Sequence, residues 1–259
     1  EVIGKVGDDP FGDFLIAEME SRGIGTRGVR RDSSAGTSAT MVMVDPDGER
    51  RFVHYIGANA YLNLGDVDFD LLSKAAILHV GGSLVMPGID GEPTAELLRH
   101  AKRSGITTFL DTVWDDTGRW MSLLAPALPF TNYFLPSLPE AQAMTGLREP
   151  DDVAKALLDC GCGSVALKMG EEGCLVRTEK GERLRLPAYQ VEAIDATGAG
   201  DAFAAGFIAG VYLGWSLEET CRLANAVGAL CVTGVGASGG TRPLNETMEF
   251  MRRTPLRNL

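Results

Sequence analysis

Four consecutive residues, Gly198-Ala-Gly-Asp201, have types and spacing suited to phosphate chemistry. The sequence predicts a strand from Gln190 that leads into this glycine loop, and a helix rich in small residues that begins directly after it. Backbone N–H groups at the start of a helix are unpaired and carry the positive end of the helix dipole. Because glycine and alanine present almost no side chain, a phosphate could lie against these N–H groups. Asp201 would then stand beside the anion, where a carboxylate could accept a proton from an attacking hydroxyl.

The same four residues also have a simpler interpretation. The glycines would only form a turn, and Asp201 would only cap the helix. Turns of this type are common, so an isolated Gly-Ala-Gly-Asp string favours the simpler interpretation. The choice between the two therefore depends on the rest of the sequence.

Hydrophobic periodicity predicts the elements that must position this loop. A first helix begins at Asp9-Pro10, which supply a cap and a first-turn proline, and it ends at Gly23. Strands are predicted at residues 75–80, 106–110 and 164–168, helices at residues 93–104, 138–145 and 151–159, and a hairpin at residues 174–177 and 183–186. This alternation indicates a mainly parallel sheet covered on both faces. A separate hairpin, residues 39–44 and 51–56 around the turn at residues 45–48, is assigned to a small β appendage.

The overall composition limits the ligands that the chain can hold. With 24 basic and 35 acidic residues among 259, the formal net charge is −11 and the pI is about 4.8. This balance argues against nucleic-acid and membrane partners, so an anionic ligand must be held by a local site. Five cysteines without a CxxC pair, and only three histidines, predict neither a zinc site nor a disulfide framework. Unpaired cysteines favour a cytoplasmic location.

Other signals receive structural interpretations. Two G-x-G-x-x-G strings, at residues 23–28 and 234–239, lack the surrounding strand, helix and acidic residue of a dinucleotide site, and no P-loop string occurs. His79 at a strand end and His100 within a helix have no partner motif, so both are interpreted as structural. Ser216-Leu-Glu-Glu219 is a capping box that opens a helix.

A longer string around the glycine loop carries a family resemblance. Residues 195–207, Asp-Ala-Thr-Gly-Ala-Gly-Asp-Ala-Phe-Ala-Ala-Gly-Phe, closely resemble the C-terminal signature of the ribokinase-like carbohydrate kinases, also called the PfkB family. Other segments resemble family features in the same order: an early turn at residues 4–12, a lid hairpin at residues 47–50, a nucleotide loop at residues 170–173, and an adenine-side helix and loop at residues 225–237. The resemblance covers nearly the whole chain.

This resemblance implies a three-layer α/β/α fold with a mainly parallel central sheet and a small β-sheet lid. We expect a single ribokinase-like kinase domain over residues 1–259, with residues 37–57 contributing to the lid. Family members carry an N-terminal strand and a Gly-Gly-x-x-x-Asn sugar-binding segment ahead of the position that matches Glu1. The strand, the segment and one lid strand are expected to be absent from this chain.

The activity implied by the resemblance is ATP-dependent phosphorylation of a sugar hydroxyl. Asp201 would be the catalytic base, and Gly198, Ala199 and Gly200 would form the anion hole for the transferred phosphoryl group. Positioning and charge neutralisation would supply most of the catalysis. A nucleoside kinase is the nearest alternative, and a catalytically weak binding or regulatory protein that keeps the fold is the alternative from another class.

The resemblance also assigns the metal ligands. Glu140 matches the acidic position of the family's Asn-x-x-Glu motif, which helps to hold Mg²⁺ through water, and Ser137 stands at the asparagine position. A monovalent-cation site, filled by K⁺ in many members, is matched by Asp195 and Thr197 with carbonyls near residues 234 and 236.

Nucleotide and sugar contacts follow in the same way. The residues that match nucleotide-side positions are Lys168, Gly170, Gly173, Asn225 and Gly236. Those assigned to the substrate are Asn59, Asp111 and Trp114, although Asp111-Thr-Val-Trp stands where many sugar kinases have Asp-Pro-Asn. A homodimer formed through the lid is a further expectation, for which an exposed hairpin edge gives a physical route.

Overall fold

The computed structural model describes residues 1–44 and 50–258, so the predicted turn at residues 45–48 lies outside the described residues. The chain divides into two compact units. Unit 1 comprises Glu1–Leu78, Gly82–Ile106 and Asp115–Ala127. Unit 2 comprises His79–Gly81, Thr107–Trp114 and Leu128–Leu259.

Unit 1 contains two small sheets and four helices among its described residues. Its elements are β1 Ile3–Gly7, α1 Pro10–Ser21, β2 Gly28–Asp32, β3 Ala39–Val44, β4 Arg50–Tyr55, α2 Phe69–Leu72, α3 Glu92–Arg103 and α4 Trp120–Leu124. Strands β3 and β4 pair antiparallel, with Ala39 opposite Tyr55, which confirms the predicted hairpin strands. Strands β1 and β2 form a parallel pair that the sequence analysis missed. Two glycines in β1 and three charged residues in β2 leave little apolar alternation to detect.

Helix α1 forms where the sequence predicts it. Asp9 is its N-cap, and the Asp9 carboxylate accepts a hydrogen bond from the Gly12 N–H at 2.8 Å. Pro10 occupies the first turn, where its missing N–H costs nothing. The apolar side chains of Phe11 and Phe14 are exposed, so this face of α1 contributes little to the core.

Unit 2 is built around one sheet with the strand order β10-β9-β8-β7-β6-β5. Its elements are residues His79–Gly81 of β5 (Ile77–Ser83), β6 Thr107–Thr112, β7 Tyr133–Phe134, α5 Leu138–Thr145, α6 Pro150–Leu158, β8 Ser164–Lys168, β9 Cys174–Thr178, β10 Arg183–Leu186, α7 Ala199–Tyr212, α8 Leu217–Cys231 and α9 Leu244–Arg253. Strands β6, β7 and β8 run parallel, and β9 and β10 continue the sheet antiparallel. The central strands are almost wholly buried, as expected for a sheet covered by helices.

One predicted element is wrong. The strand expected from Gln190 into the glycine loop does not form, and most of residues 190–195 are irregular and solvent-accessible. The N–H groups of Ile194 and Asp195 donate instead to the carbonyl of Val232, at 2.7 and 3.2 Å. None of the strands in the described residues pairs with this segment, and a loop leads the chain to α7.

Across the described residues, each helix is either too short or too polar to cross a bilayer.

Candidate active site

A cavity of about 910 Å³ in unit 2 collects most of the residues that the sequence analysis singled out. The predicted residues that line it are Asp111, Trp114, Glu140, Lys168, Gly170, Gly173, Gly198, Ala199, Gly200, Asp201 and Asn225. They come from the ends of β6 and β8, the starts of α5 and α7, and the middle of α8. Asn59 lies in unit 1, and Asp195, Thr197 and Gly236 do not line the cavity.

The start of α7 forms one wall of this cavity. Gly198 is the N-cap and has a φ of +75°, and a Cβ there would collide with the carbonyl oxygen of Ala237. Only glycine fits both conditions without strain. The helix has no side-chain cap, and in the described part of the chain the N–H groups of Gly200 and Asp201 have no hydrogen-bond partner. The cavity is therefore bordered by unpaired donors at the positive end of a helix.

Asp201 is the third residue of α7, and its side chain is exposed to the cavity. It makes no capping hydrogen bond, so the helix does not need its carboxylate in the way the simpler interpretation requires. This places a candidate proton acceptor beside unpaired N–H donors.

The structure brings Lys168 and Asp111 together, which the sequence analysis did not foresee. The Nζ of Lys168 donates to both carboxylate oxygens of Asp111, at 2.7 and 2.8 Å. Burial raises the pKa of Asp111 to about 6, and the charge of Lys168 opposes this shift. The two residues are 57 positions apart in the chain and meet because β6 and β8 flank β7.

Glu140 is part of a capping box at the start of α5. Its N–H donates to the Ser137 hydroxyl at 3.4 Å, while its carboxylate accepts from the Ser137 N–H at 2.8 Å. Thr112, which the sequence analysis missed, donates to the same carboxylate at 3.3 Å. Both of these hydrogen bonds are accepted by Oε2, and Glu140 is one of the residues that line the cavity.

The predicted monovalent-cation ligands lie together beside the cavity. The two oxygens of Asp195 accept hydrogen bonds from the N–H groups of Thr197 and Gly236, each at 2.9 Å. The Cys231 thiol donates to the carbonyls of Thr197 and Ala237, at 3.6 and 3.3 Å. These contacts tie the loop before α7 to the loop after α8.

Three of the predicted nucleotide residues that line the cavity are also held in place by local contacts. Gly170 and Gly173 bracket a single 3₁₀ turn, which is closed by a hydrogen bond from Met169 N–H to the Gly173 carbonyl at 2.9 Å. The buried Asn225 amide donates to the carbonyl of Pro187 at 3.1 Å. Asn225 therefore holds the end of β10 and borders the cavity at the same time.

The two histidines interpreted as structural differ in their surroundings. His100 packs edge-on against Phe69, with ring centroids 4.8 Å apart, as a structural residue would. The pKa of His79 is lowered chiefly by desolvation; the Asp201 carboxylate opposes this shift and the Lys168 ammonium adds to it. His79 thus lies within electrostatic range of two cavity residues, and no sequence motif marked it.

An open helix start, a carboxylate and a lysine in one cavity describe a candidate anion-binding site in an α/β protein. Residues 1–243 match the pfkB family carbohydrate kinase profile. An uncharacterized sugar kinase of Archaeoglobus fulgidus is 33% identical over 245 residues, which cover 92% of this chain and 93% of the relative. The ribokinase of Mus musculus is 30% identical, over 91% of this chain and 73% of that protein.

Solved structures agree with this assignment. A protein described as ribokinase II from Escherichia coli, in complex with ATP and Mg²⁺, matches with a TM-score of 0.85 at 28% identity, over 97% of this chain and 82% of that chain. This chain therefore belongs to the pfkB family of carbohydrate kinases. The predicted ribokinase-like α/β fold and the predicted class of enzyme, a carbohydrate kinase, are both confirmed.

Proposed function

We propose that this chain transfers the γ-phosphoryl group of ATP to a hydroxyl of a small sugar in the unit 2 cavity. The observation that carries the proposal is the uncapped start of α7, with Asp201 at its third position and the cavity in front of it. A nucleotide phosphate and a small sugar are ligands of a size that a cavity of about 910 Å³ can accommodate.

The proposed reaction assigns one task to each group at this helix start. Asp201 accepts the proton of the attacking hydroxyl as the new phosphorus–oxygen bond forms and the bond to the leaving ADP breaks. The backbone at Gly198, Ala199 and Gly200 supplies the anion hole for the phosphoryl oxygens. Because these donors are fixed by the fold, they need little rearrangement during the reaction.

The cavity residues fit a Mg²⁺ ion held mainly by phosphate and water. Glu140 offers a carboxylate oxygen at the cavity wall, and the described residues contain no group of three or more His, Cys, Asp or Glu side chains that could enclose a metal by themselves. Magnesium typically keeps several waters and binds through one or two carboxylates and the substrate phosphates. When bound, it would neutralise charge on the phosphate oxygens. Glu140 would orient its water ligands.

The remaining predicted residues take supporting roles in the same proposal. The nucleotide is held on the side of Lys168, Gly170, Gly173, Asn225 and Gly236. The sugar lies towards Trp114 and Asp111 in the cavity of unit 2; the assignment of Asn59, a residue of unit 1, to the substrate stays a prediction. A K⁺ ion bound near Asp195 and Thr197 would fix the loop that precedes α7 and so orient its N–H groups.

The β3–β4 hairpin is proposed to act as the lid and as a dimer contact. The side chains of Met41, Val53 and Tyr55 on this hairpin are 66%, 58% and 54% exposed. A two-stranded sheet with exposed apolar side chains and open edges is a surface suited to pairing with a second copy. We propose a cytoplasmic location as well, because none of the five cysteines, all of which are among the described residues, forms a disulfide.

ADP release from ATP and Mg²⁺ across a panel of pentoses, hexoses, deoxy sugar acids and nucleosides tests this function. We expect release only with sugars, and a faster rate in KCl than in tetramethylammonium chloride at equal ionic strength. Release with nucleosides alone would favour the nucleoside kinase. A folded chain that binds ADP but releases none with any acceptor would favour the binding protein and contradict the proposal. Equal rates in the two salts would remove only the K⁺ site.

A further inference from the structure

The buried pair of Lys168 and Asp111 calls for an explanation beyond stability. Their side chains are only 13% and 5% exposed. Moving two charges out of water costs several kcal/mol per ion, and replacing such a pair by apolar residues is often neutral or stabilising. The sheet therefore gains little stability from a charged pair at this position. A buried, strongly perturbed carboxylate at a cavity wall is instead a candidate for a functional role.

The position of the ammonium indicates what that role is. A Cβ built on Gly200 would lie 3.4 Å from the Nζ of Lys168 and 3.8 Å from its Cε. The Lys168 ammonium therefore lies against the second residue of α7, at the same helix start whose N–H groups are unpaired. A larger residue at position 200 would press on this side chain.

The donors of Lys168 are only partly used. An ammonium has three N–H donors, and the two oxygens of Asp111 accept at 2.7 and 2.8 Å. Both residues line the cavity. Asp111 also accepts from the Thr112 N–H at 2.8 Å, so the carboxylate is itself held in one orientation. Among the described residues Lys168 has no further acceptor, so one donor is left for an anion in the cavity, and Asp111 sets the direction of that donor.

We propose that Lys168 is a catalytic residue that donates its third N–H to the transferred phosphoryl group, and that Asp111 is a positioning residue that holds Lys168 in place. This inference rests on the proposed function, and it gives Asp111 a task different from contact with the sugar. Lys168 then adds a full positive charge to the N–H donors of α7, where negative charge develops during transfer. Gly200 leaves space beside the ammonium, since even a Cβ at this position would be in van der Waals contact with Lys168.

A double-mutant cycle with Asp111→Asn and Lys168→Met separates the two tasks. We expect Lys168→Met to lower kcat on the order of 10²–10³-fold, as for loss of one oxyanion donor. Asp111→Asn should lower kcat by a smaller factor, with the KM for the sugar changed little. In the Lys168→Met background, Asp111→Asn should have no further effect on kcat, because a positioning residue has nothing left to position.

Two further variants keep the result interpretable. The double variant Asp111→Leu, Lys168→Met replaces the charged pair by apolar groups. This variant should melt near the parental temperature and bind ADP. Its kcat should be as low as that of Lys168→Met. Asp201→Asn serves as the reference for the proposed function, since parental turnover in that variant would contradict the function itself rather than this inference. Parental kcat in Lys168→Met would overturn the inference. Independent, multiplicative effects with a raised sugar KM for Asp111→Asn would overturn it as well, because Asp111 would then be a sugar ligand.

Discussion

Helices α5, α7 and α8 of unit 2 begin in two different ways. Helices α5 and α8 each start at a serine in a capping box, formed by Ser137 with Glu140 and by Ser216 with Glu219. Helix α7 starts at Gly198 with no side-chain cap. A capping box pairs first-turn donors with the helix's own side chains, whereas the N–H groups of Gly200 and Asp201 in α7 have no partner among the described residues. Helices α6 and α9 of the same unit also lack a side-chain cap, but their N-cap residues, Glu149 and Pro243, do not line the cavity. Among the described helices of unit 2, α7 is therefore the one whose uncapped start borders the candidate site.

Apart from the substitutions of Lys168 and Asp201, the largest effect is expected from a matched pair of glycines at the two ends of α7. Gly198 before the helix and Gly214 after it have nearly the same φ, +75° and +72°, but a Cβ at Gly214 meets nothing within 4 Å. Alanine at Gly214 should cost about 1–2 kcal/mol of unfolding free energy, because that position adopts the left-handed conformation. Alanine at Gly198 should cost more, because its Cβ would also collide with the backbone of Ala237. Only Gly198→Ala, which collides with Ala237, should also lower turnover, on the order of 10²-fold.

Urea unfolding and steady-state turnover of Gly198→Ala and Gly214→Ala check this prediction. If both variants kept parental turnover, the backbone of the α7 start would not take part in catalysis. If Gly214→Ala lost as much turnover as Gly198→Ala, the effect would come from the stability of α7 and not from its open start.

A second matched pair distinguishes the two capping boxes. Glutamine can replace glutamate in a capping box, so Glu140→Gln and Glu219→Gln should each change the unfolding free energy by only a few tenths of a kcal/mol. Glu140→Gln should lower activity or apparent Mg²⁺ affinity by about 10–100-fold, the range for groups that orient metal ligands. Turnover measured against Mg²⁺ concentration tests this. Equal Mg²⁺ dependence in the two variants would show that Glu140 only caps α5.

The smallest effect is expected at a carboxylate that pairs within unit 2 outside the cavity. Hydrogen bonding by Arg183 and Arg177 holds the pKa of Asp151 at about 2. A lowered pKa in the folded state gives stability above pH 4 that is lost as pH falls through 3.8 towards 2. Because these side chains are partly exposed, Asp151→Asn should cost less than about 1 kcal/mol at pH 7 and leave turnover unchanged. The difference in unfolding free energy between the parental protein and Asp151→Asn should be smaller at pH 3 than at pH 7. A larger difference at pH 3 would show that the ionised Asp151 carboxylate is not its cause.

Local signals in the sequence predicted much of unit 2. Helix α5 and strand β8 form over the predicted residues 138–145 and 164–168, because caps and continuous apolar runs act over a few neighbouring residues. The start of α7 could be predicted because Gly198, Ala199 and Gly200 are small residues, which allow a ligand or another chain segment to approach the backbone closely.

The rest depended on partners far away in the chain. The strand expected at residues 190–195 does not form, and none of the described strands pairs with this segment, which local propensity cannot register. Lys168 and Asp111 were singled out separately, but their contact arises from the order β8-β7-β6, and the sequence carries no local sign of it. The electrostatic coupling of His79 to Asp201 is likewise a product of the fold.

The central claim, that Asp201 accepts a proton at an open helix start, is tested most directly by Asp201→Asn. Asparagine keeps the size of the side chain but cannot take the proton, so turnover should fall on the order of 10²–10⁴-fold. Nucleotide affinity, measured calorimetrically with ADP and Mg²⁺, should hold or improve because a negative charge near the phosphates is removed. The unfolding free energy should change by less than about 1 kcal/mol. A folded Asp201→Asn variant that binds nucleotide and phosphorylates its sugar at the parental rate would contradict the account.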